Sequence, residues 1–215
     1  MRQSHRAGET LFVDYAGQTM PVVNALTGAV REAAIFIAVL GASHSTFAAA
    51  TWSQSLPDWI GSHVRAFAAL GGVPQVVVPD NLQAAVSRPH RYEPPLTRTY
   101  AALVQHSGVA IVPARAARPR DKATVEVGVQ GVQRWMRARL RHHTFVSRLE
   151  LHTALADRLV LLHQRPCKQL PGSRQSVCEA LDRPALRPLP AQPSAYAEWK
   201  LVRVNILCGA QRYVL

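Results

Sequence analysis

Apolar runs separated by turn residues predict several short strands in the first part of the chain. The runs LFVDYAG (11–17) and MPVVNA (20–25) predict two short strands or one long bent strand. The run AAIFIAVLGA (33–42) is almost continuously apolar, which is typical of a central strand buried on both faces. STFAAATW (45–52) is a candidate for its neighbour.

A helix follows these strands, and the pattern then alternates between strands and helices. Residues 56–58 (Leu-Pro-Asp) suit a first helical turn, apolar residues recur at three- and four-residue spacing, and a Gly-Gly pair ends the helix. A short buried strand is predicted at 73–81, a short helix at 99–106 and a strand at 108–114. This order predicts an α/β or α+β domain over about residues 1–165.

The segment from residue 121 to residue 140 has the most informative helical pattern. Apolar residues form one stripe, and polar residues lie about 120° round the helix. The apolar stripe consists of Val125, Val129, Val132, Met136 and Leu140, and the polar one of Lys122, Glu126, Gln130, Gln133, Arg137 and Arg141. A further helix at 147–164 carries Leu149, Leu155, Leu159 and Leu162. The proline-rich RPALRPLPAQP (183–193) is typical of an extended linker.

The chain is strongly basic, and its charge is unevenly distributed. There are 25 Lys and Arg residues against 13 Asp and Glu residues, a formal net charge of +12. Residues 1–80 hold four basic and five acidic side chains (4 − 5 = −1), and residues 81–215 hold 21 and eight (21 − 8 = +13). The asymmetry favours a polyanionic partner, nucleic acid first and an anionic membrane surface second. Because 22 of the basic residues are Arg, coding bias explains the composition equally well.

Several functional classes find no support in the sequence. The strongly apolar part of the longest uncharged stretch is ten residues long, too short to span a bilayer, and the N-terminus does not resemble a signal peptide. No His or Cys pair has the spacing of a closed zinc site, and neither a G-x-S-x-G elbow nor a phosphate-binding G-x-x-x-x-G-K-[ST] loop is present. The three cysteines show no close pairing, which fits a reducing compartment.

Three acidic residues stand out by their positions in the predicted elements. Asp14 lies inside an apolar strand, Asp80 follows the end of another strand, and Glu126 projects from the amphipathic helix. A carboxylate in a strand is costly to bury without a partner, and a divalent cation is one such partner. Oxygen ligands favour Mg²⁺ or Mn²⁺, and two such ions about 3.5–4 Å apart promote phosphodiester chemistry.

Each of these acids also has a simpler explanation when it is taken alone. Asp14 could form an ion pair with Arg31, Asp80 could cap a turn or a helix, and Glu126 could be a solvated surface residue. The joint placement of the three acids is the stronger signal.

Longer motifs across most of the chain resemble one family. They are LFVDYAGQTMPVV, ATWSQSLPDWIGSHVRAF, GGVPQVVVPDN, RYEPPL, RPRDKATVEVGVQ, LPGSR, LDRPALRPLP and AEWKLVRVNI, within residues 7–206. In these motifs the chain resembles IstA-type transposases of bacterial insertion sequences, members of the retroviral-integrase-like group. The resemblance implies an α/β fold: a ribonuclease-H-like mixed sheet flanked by helices, with a C-terminal helical extension and a truncated β segment.

The same resemblance implies an active site and a reaction. Asp14, Asp80 and Glu126 would be the catalytic, metal-binding triad for two Mg²⁺ ions, which Mn²⁺ can replace, with Asp14 bridging both ions. Asp121 competes for the third place, but Glu126 matches the family's DKxxVE pattern. Water would cut the transposon end, and the freed 3′-hydroxyl would then attack target DNA without a covalent enzyme intermediate.

Basic and amide side chains around the triad are expected to support this chemistry. Helical geometry puts Lys122 and Arg137 on the face of Glu126, where we expect contacts with DNA phosphates, and Asn81 is expected to orient Asp80. Residues 113–148 hold nine basic and two acidic side chains (9 − 2 = +7), which favours a DNA track. Further DNA contacts are expected from Arg118, Arg120, Arg134 and Arg141.

The resemblance also sets expectations for organisation and partners. It divides the chain into an integrase-like catalytic core (1–146), a helical extension (147–182), a proline-rich linker (183–194) and the truncated start of a C-terminal β module (195–215). The implied partners are DNA (transposon ends and target), an IstB-type helper ATPase and further copies of the chain on DNA, with no membrane. We expect a cytoplasmic, nucleoid-associated bacterial protein.

Two departures from the family limit the expected activity. Family members carry a helix-turn-helix region before the core and a β-rich domain after it, and this chain matches neither, so we expect little autonomous transposition. The alternative function is a non-catalytic DNA-binding remnant of a transposase. A ribonuclease H would share the fold but not the flanking motifs.

Overall fold

Six strands form one mixed sheet in the part of the chain that the structure describes. The structure is a computed structural model, and it describes residues 5–79, 97–112, 131–136, 138–140, 143–166 and 171–197. The strands are β1 (Thr10–Tyr15), β2 (Met20–Val23), β3 (Val30–Leu40), β4 (Thr46–Thr51), β5 (Val76–Pro79) and β6 (Ala110–Ile111). Strand β3 runs antiparallel to β1, β2 and β4, whereas β1, β5 and β6 run parallel to one another. The predicted mixed α/β sheet is therefore confirmed.

Helices cover both faces of this sheet. They are α1 (Leu56–Leu70), α2 (Arg98–Ser107), α3 (helical over 131–136 and 138–140), α4 (Arg148–His163), α5 (Arg174–Val177) and α6 (Arg183–Ala185), with a π-helical turn (Cys178–Asp182) between the last two. Within the described ranges, no helix is both long enough and apolar enough to cross a membrane.

The early apolar runs form the strands that their patterns predict. The run at 33–42 is the central strand β3, which is buried from Ala33 to Leu40, and its predicted neighbour is β4. The first two runs form two separate strands, β1 and β2. Helix α1 begins one residue before Pro57 and ends at Gly71, whose φ of 81° is easily adopted only by glycine.

Alternation along the strands divides the core into two layers. On one face, residues such as Val13, Phe36 and Val77 pack with α1 and α2. On the other face, residues such as Phe12 and Ile37 pack with α3 and α4. The described part of the predicted α3 stripe is confirmed, because Val132, Met136 and Leu140 are buried in this second layer.

The apolar residues of α4 differ from the prediction at one position. Leu155, Leu159 and Leu162 are buried as expected, but Leu149 is 78% exposed and Leu151 is buried instead. Ser147 is the N-cap, and its side chain accepts a hydrogen bond from the backbone N–H of Glu150. Leu149 therefore lies in the first turn and faces solvent, while the buried stripe begins two residues later at Leu151.

The segment after α5 packs against the far end of the sheet. Within the π-helical turn, the buried carboxylate of Asp182 accepts the backbone N–H groups of Gly8 (2.8 Å) and Ser43 (3.0 Å). The backbones of Val73 and Arg187 exchange two hydrogen bonds (2.8 and 2.9 Å), and Leu186 is buried. The first residues of the proline-rich segment are thus helical and attached to the sheet, whereas residues 188–197 form neither helix nor strand.

Candidate active site

Asp14 lies next to the last residue of β1, on the face that α3 and α4 cover. Val13 and Tyr15 belong to the layer under α1 and α2, whereas Phe12 belongs to the opposite layer. Because successive side chains of a strand alternate between faces, Asp14 points to the same side as Phe12. Its side chain is half-buried, and Oδ1 accepts the backbone N–H of Tyr15 at 2.8 Å.

Strand β5 ends beside Asp14. The parallel register pairs Phe12 with Val78 and Val13 with Pro79, and Val78 packs against the same layer as Phe12. The C-terminal end of β5 therefore lies next to the position of Asp14. In parallel sheets this is the edge at which ligands bind.

A cavity separates the residues after β1 from α3. Its volume is about 310 Å³, and it lies between the connection that leads from β1 to β2, strand β3 and helices α3 and α4. Ala16 and Ile37 form part of the sheet wall, and Gln133 and Arg134 form part of the helix wall. Because Ile37 is the residue paired with Asp14, the cavity adjoins the candidate site.

The structure places two of the predicted site residues. Asp14 and the exposed Arg134 lie on the same side of the sheet, at the β1 end and on α3 respectively. The other predicted residues lie outside the described residues: Asp80, Asn81, Arg118, Arg120, Lys122, Glu126, Arg137 and Arg141, together with the competitor Asp121. Within the described ranges, no three His, Cys, Asp or Glu side chains are grouped closely enough to hold a metal ion. Asp14 is the one member of the predicted triad that lies within these ranges.

The simpler explanation of Asp14 as the partner of Arg31 is wrong. In the sheet register Asp14 lies opposite Ile37, six residues along β3 from Arg31, which corresponds to about 20 Å. The guanidinium carbon of Arg31 instead lies 4.3 Å from the centroid of the Trp52 ring.

Two clusters of tryptophan and arginine lie on the α3–α4 side and were not expected from the sequence. Trp52 has Arg31 at 4.3 Å and Arg148 at 5.7 Å, measured from Cζ to the ring centroid. Trp135 has Arg139 at 5.0 Å and Arg165 at 5.9 Å. The sequence signal that could have indicated these clusters is a tryptophan beside an apolar pattern in a strongly basic chain. Trp52 and Trp135 both fit that description.

The titratable groups on the opposite side of the sheet serve the core. His63 is fully buried: its Nδ1 bonds the carbonyl oxygen of Trp59 (2.8 Å), and its Nε2 lies 3.4 Å from the Tyr100 hydroxyl. Burial lowers the pKa of His63 to about 4, so the imidazole is neutral at physiological pH. Burial also raises the pKa of Tyr15, whose hydroxyl accepts a hydrogen bond from Thr51. These side chains belong to the core layer that contains α1, on the side of the sheet opposite to Asp14.

Comparison with known proteins gives relatives of one kind and a matching fold. The chain is 52% identical over 206 residues to "Putative transposase for insertion sequence IS408" of Burkholderia multivorans, a match that covers 96% of this chain and 40% of that protein. It is 47% identical over 207 residues to "Putative transposase y4uI" of Sinorhizobium fredii, with the same coverage of 96% and 40%. The chain thus spans about 40% of the length of these relatives. No protein-family model matches the chain.

Among solved structures, the fold matches a retroviral integrase core. The catalytic core domain of HTLV-2 integrase, solved in complex with magnesium, superposes with a TM-score of 0.57 at 12% sequence identity. The match covers 82% of this chain and 99% of that domain. The chain is therefore a homologue of insertion-sequence transposases, matching a segment of about 40% of their length, and it has the ribonuclease-H-like fold of integrase catalytic cores.

Proposed function

We propose that the chain is the catalytic core of an IstA-type insertion-sequence transposase, which cuts DNA strands and joins them by phosphoryl transfer. One observation carries the proposal: Asp14, the C-terminal end of β5 and helix α3 share one face of a ribonuclease-H-like sheet. The homology to transposases supports the substrate class, and the fold supports the type of chemistry.

The chain itself supports an acidic triad at this face. Asp80 directly follows Pro79 in the sequence. Pro79 is paired with Val13, the neighbour of Asp14. Glu126 precedes the described part of α3 by five residues. We assign the catalytic, metal-binding role to Asp14, Asp80 and Glu126.

The donor chemistry of Asp14 suits a hard divalent cation. Its carboxylate is only half-buried at a strand end and supplies oxygen donors, which such cations prefer. Two Mg²⁺ ions, or Mn²⁺ in their place, would neutralise the three carboxylates and help to activate the attacking hydroxyl and stabilise the leaving oxygen. The protein's part is to hold the carboxylates on rigid elements and to position the DNA phosphate.

The basic residues around the triad would hold the DNA. We assign phosphate contacts to Lys122, Arg118, Arg120, Arg134, Arg137 and Arg141, and an orienting role to Asn81. Of these, Arg134 is exposed on α3 beside the cavity next to Asp14. A helper ATPase of the IstB type, further copies of the chain on DNA and a cytoplasmic, nucleoid-associated location belong to the same proposal. Transposition of a whole element is expected to need sequence that the longer relatives carry outside the matched segment.

The experiment is a nicking and strand-joining assay on supercoiled plasmid DNA with Mg²⁺ or Mn²⁺. We expect wild type to nick the plasmid only when a divalent cation is present. Asp14→Asn, Asp80→Asn and Glu126→Gln should each abolish nicking while DNA binding, measured by anisotropy, is kept. Asp157→Asn is the matched control, since Asp157 is an exposed carboxylate on α4 and its loss should leave nicking unchanged.

Two results would contradict the proposal. If wild type and all variants bind DNA equally and none of them cuts it, the non-catalytic DNA-binding remnant is the better description. If Asp14→Asn cuts as fast as wild type, the assigned acidic site is wrong.

A further inference from the structure

Two guanidinium groups lie over one indole ring at the end of β4. Arg31 comes from β3, Trp52 follows β4 directly, and Arg148 is the first residue of α4. The Cζ atoms of the two arginines lie 4.3 and 5.7 Å from the ring centroid. We call these three residues the Trp52 cluster. Three separate elements supply it, so its geometry is set by the fold and not by a single flexible loop.

Among the described residues, neither Arg31 nor Arg148 of the Trp52 cluster forms an ion pair with a carboxylate. Acidic side chains close in sequence bond other groups: Glu32 accepts the Thr19 hydroxyl (2.6 Å), Asp58 accepts the N–H (2.9 Å) and hydroxyl (2.6 Å) of Ser53, and Glu150 accepts the Val146 N–H (2.8 Å). Two like charges held against one ring repel each other, so an anion bound beside them would stabilise the arrangement.

Contact with the Trp52 ring leaves both guanidinium groups able to bind an anion. A guanidinium that lies over an aromatic face keeps N–H donors at its edge, where they suit a phosphate. Both arginines are exposed, while the Trp52 ring is partly buried against the core. The positive region extends towards α1, since His152 has its pKa lowered by burial and also by the guanidinium groups of Arg65 and Arg148.

The Trp52 cluster and Asp14 lie on the same face of the sheet. Ala48 and Ala50 of β4 belong to the layer under α3 and α4, and Trp52 packs against that layer. Strands β1 and β4 are both antiparallel to β3, so Asp14 and Trp52 lie at their corresponding C-terminal ends. From the register, with two strand spacings across and four residues along, the two Cα atoms are about 16 Å apart.

We propose that the Trp52 cluster binds the phosphate backbone of the DNA that is cut at Asp14. This inference rests on the proposed function. A DNA strand carries a phosphate at every nucleotide, so a strand with its scissile phosphate at Asp14 has another phosphate within a few nucleotides that can reach the cluster. The cluster would fix the register of the DNA on the sheet and read no bases.

The test is DNA binding by the full chain, measured by anisotropy with a fluorescent duplex in EDTA at several salt concentrations. Without divalent cations the readout does not depend on cleavage. Each lost phosphate contact lowers the slope of log affinity against log salt by about 0.9, so the double variant Arg31→Gln/Arg148→Gln should lower it by about 1.8. If the DNA affinities of wild type and the double variant converge at 1 M salt, the double variant should bind about 60-fold more weakly than wild type at 0.1 M salt. Arg31→Lys/Arg148→Lys should keep the wild-type slope, because it keeps both charges.

The matched control removes the same charge from the other end of the sheet. Arg6 and Arg183 are both exposed. Their neighbours place them at this end of the sheet, because Gly8 adjoins Ala185 and Arg183 lies beside Gly71 at the end of α1. Arg6→Gln/Arg183→Gln should leave the salt slope within about 0.3 of wild type. Circular dichroism and thermal melting would verify that all variants are folded.

The outcomes separate this inference from the proposed function. An equal drop in the control variant, or an unchanged slope in Arg31→Gln/Arg148→Gln, overturns the Trp52 cluster as a DNA site while nicking by wild type can still stand. If wild type binds no duplex at any salt concentration, both the proposed function and the inference fail. A reduced slope only in the cluster variant, with nicking still abolished by Asp14→Asn, supports both.

Discussion

The buried histidine between α1 and α2 makes the stability of the fold depend on pH. His63 is bonded on both ring nitrogens, with Nδ1 at the Trp59 carbonyl oxygen and Nε2 near the Tyr100 hydroxyl. A carbonyl oxygen only accepts, so Nδ1 carries the proton and Nε2 accepts from the tyrosine. The bond that Nε2 accepts requires the neutral ring, because both nitrogens of a protonated imidazole are donors. Protonating His63 would also place a buried charge among aromatic side chains.

The pKa of His63 fixes the direction and size of this effect. Burial lowers it to about 4 in the folded protein, against about 6.5 in the unfolded chain. Above pH 6.5 neither state binds the proton, and stability is unaffected. As the pH falls from 6.5 towards 4, only the unfolded state binds it, so stability is lost. Between pH 7 and pH 4.5 the loss from this one group is about 2–3 kcal/mol.

Urea unfolding of wild type and His63→Gln at pH 7 and pH 4.5 measures this loss. The variant removes the titrating group while keeping a side chain that can donate and accept. Wild type should lose about 2–3 kcal/mol more than His63→Gln over this pH range, because the other titrating groups cancel in the comparison. Ile60→Val is the control: Ile60 is buried one turn away, and its truncation should cost about 0.5–1.5 kcal/mol equally at both pH values. Equal losses in wild type and His63→Gln would refute the reasoning.

Three further predictions test how the described elements are held together. Asp182→Ala leaves the N–H groups of Gly8 and Ser43 buried without their acceptor, so the free energy of unfolding in urea should fall by about 3 kcal/mol. An unchanged free energy would show that these two hydrogen bonds do not stabilise the fold. Gly8→Ala places a Cβ 2.5 Å from the carbonyl carbon of Ala185, at a residue whose φ is 65°. The variant should therefore have a clearly lower melting temperature. An unchanged melting temperature would show that the neighbouring backbone moves away at little cost. Met136→Ala truncates the buried stripe of α3 and should cost about 2–5 kcal/mol, whereas Leu149→Ala, at an exposed position of α4, should cost under about 0.5 kcal/mol.

Local patterns were enough to predict most of the elements. The apolar run at 33–42 has no polar position to face water, so burial on both faces follows from the sequence. Helix α1 carries a proline in its first turn and a glycine at its end, and its bounds were predicted closely. Leu149 was misplaced because the cap at Ser147 sets where the buried stripe of α4 starts, and periodicity alone does not show which leucine of the first turns faces the core.

Features made by residues distant in sequence could not be predicted. The partners of Asp182 are Gly8 and Ser43, and no local pattern marks a carboxylate that will meet backbone N–H groups from the start of the chain. The Trp52 cluster likewise joins β3, the end of β4 and the start of α4. Asp14 was recognisable because a charged residue inside an apolar strand conflicts with its surroundings, and such conflicts concentrate at functional sites.

The central claim is that Asp14, Asp80 and Glu126 share one divalent cation site. Iron-directed cleavage tests it most directly: Fe²⁺ replaces Mg²⁺, ascorbate and peroxide generate hydroxyl radicals, and mass spectrometry locates the backbone breaks. The account predicts breaks near all three acids, suppressed by excess Mg²⁺ and lost together in Asp14→Asn but not in Asp157→Asn. Breaks that avoid one of the three acids, or that persist in Asp14→Asn, would contradict it.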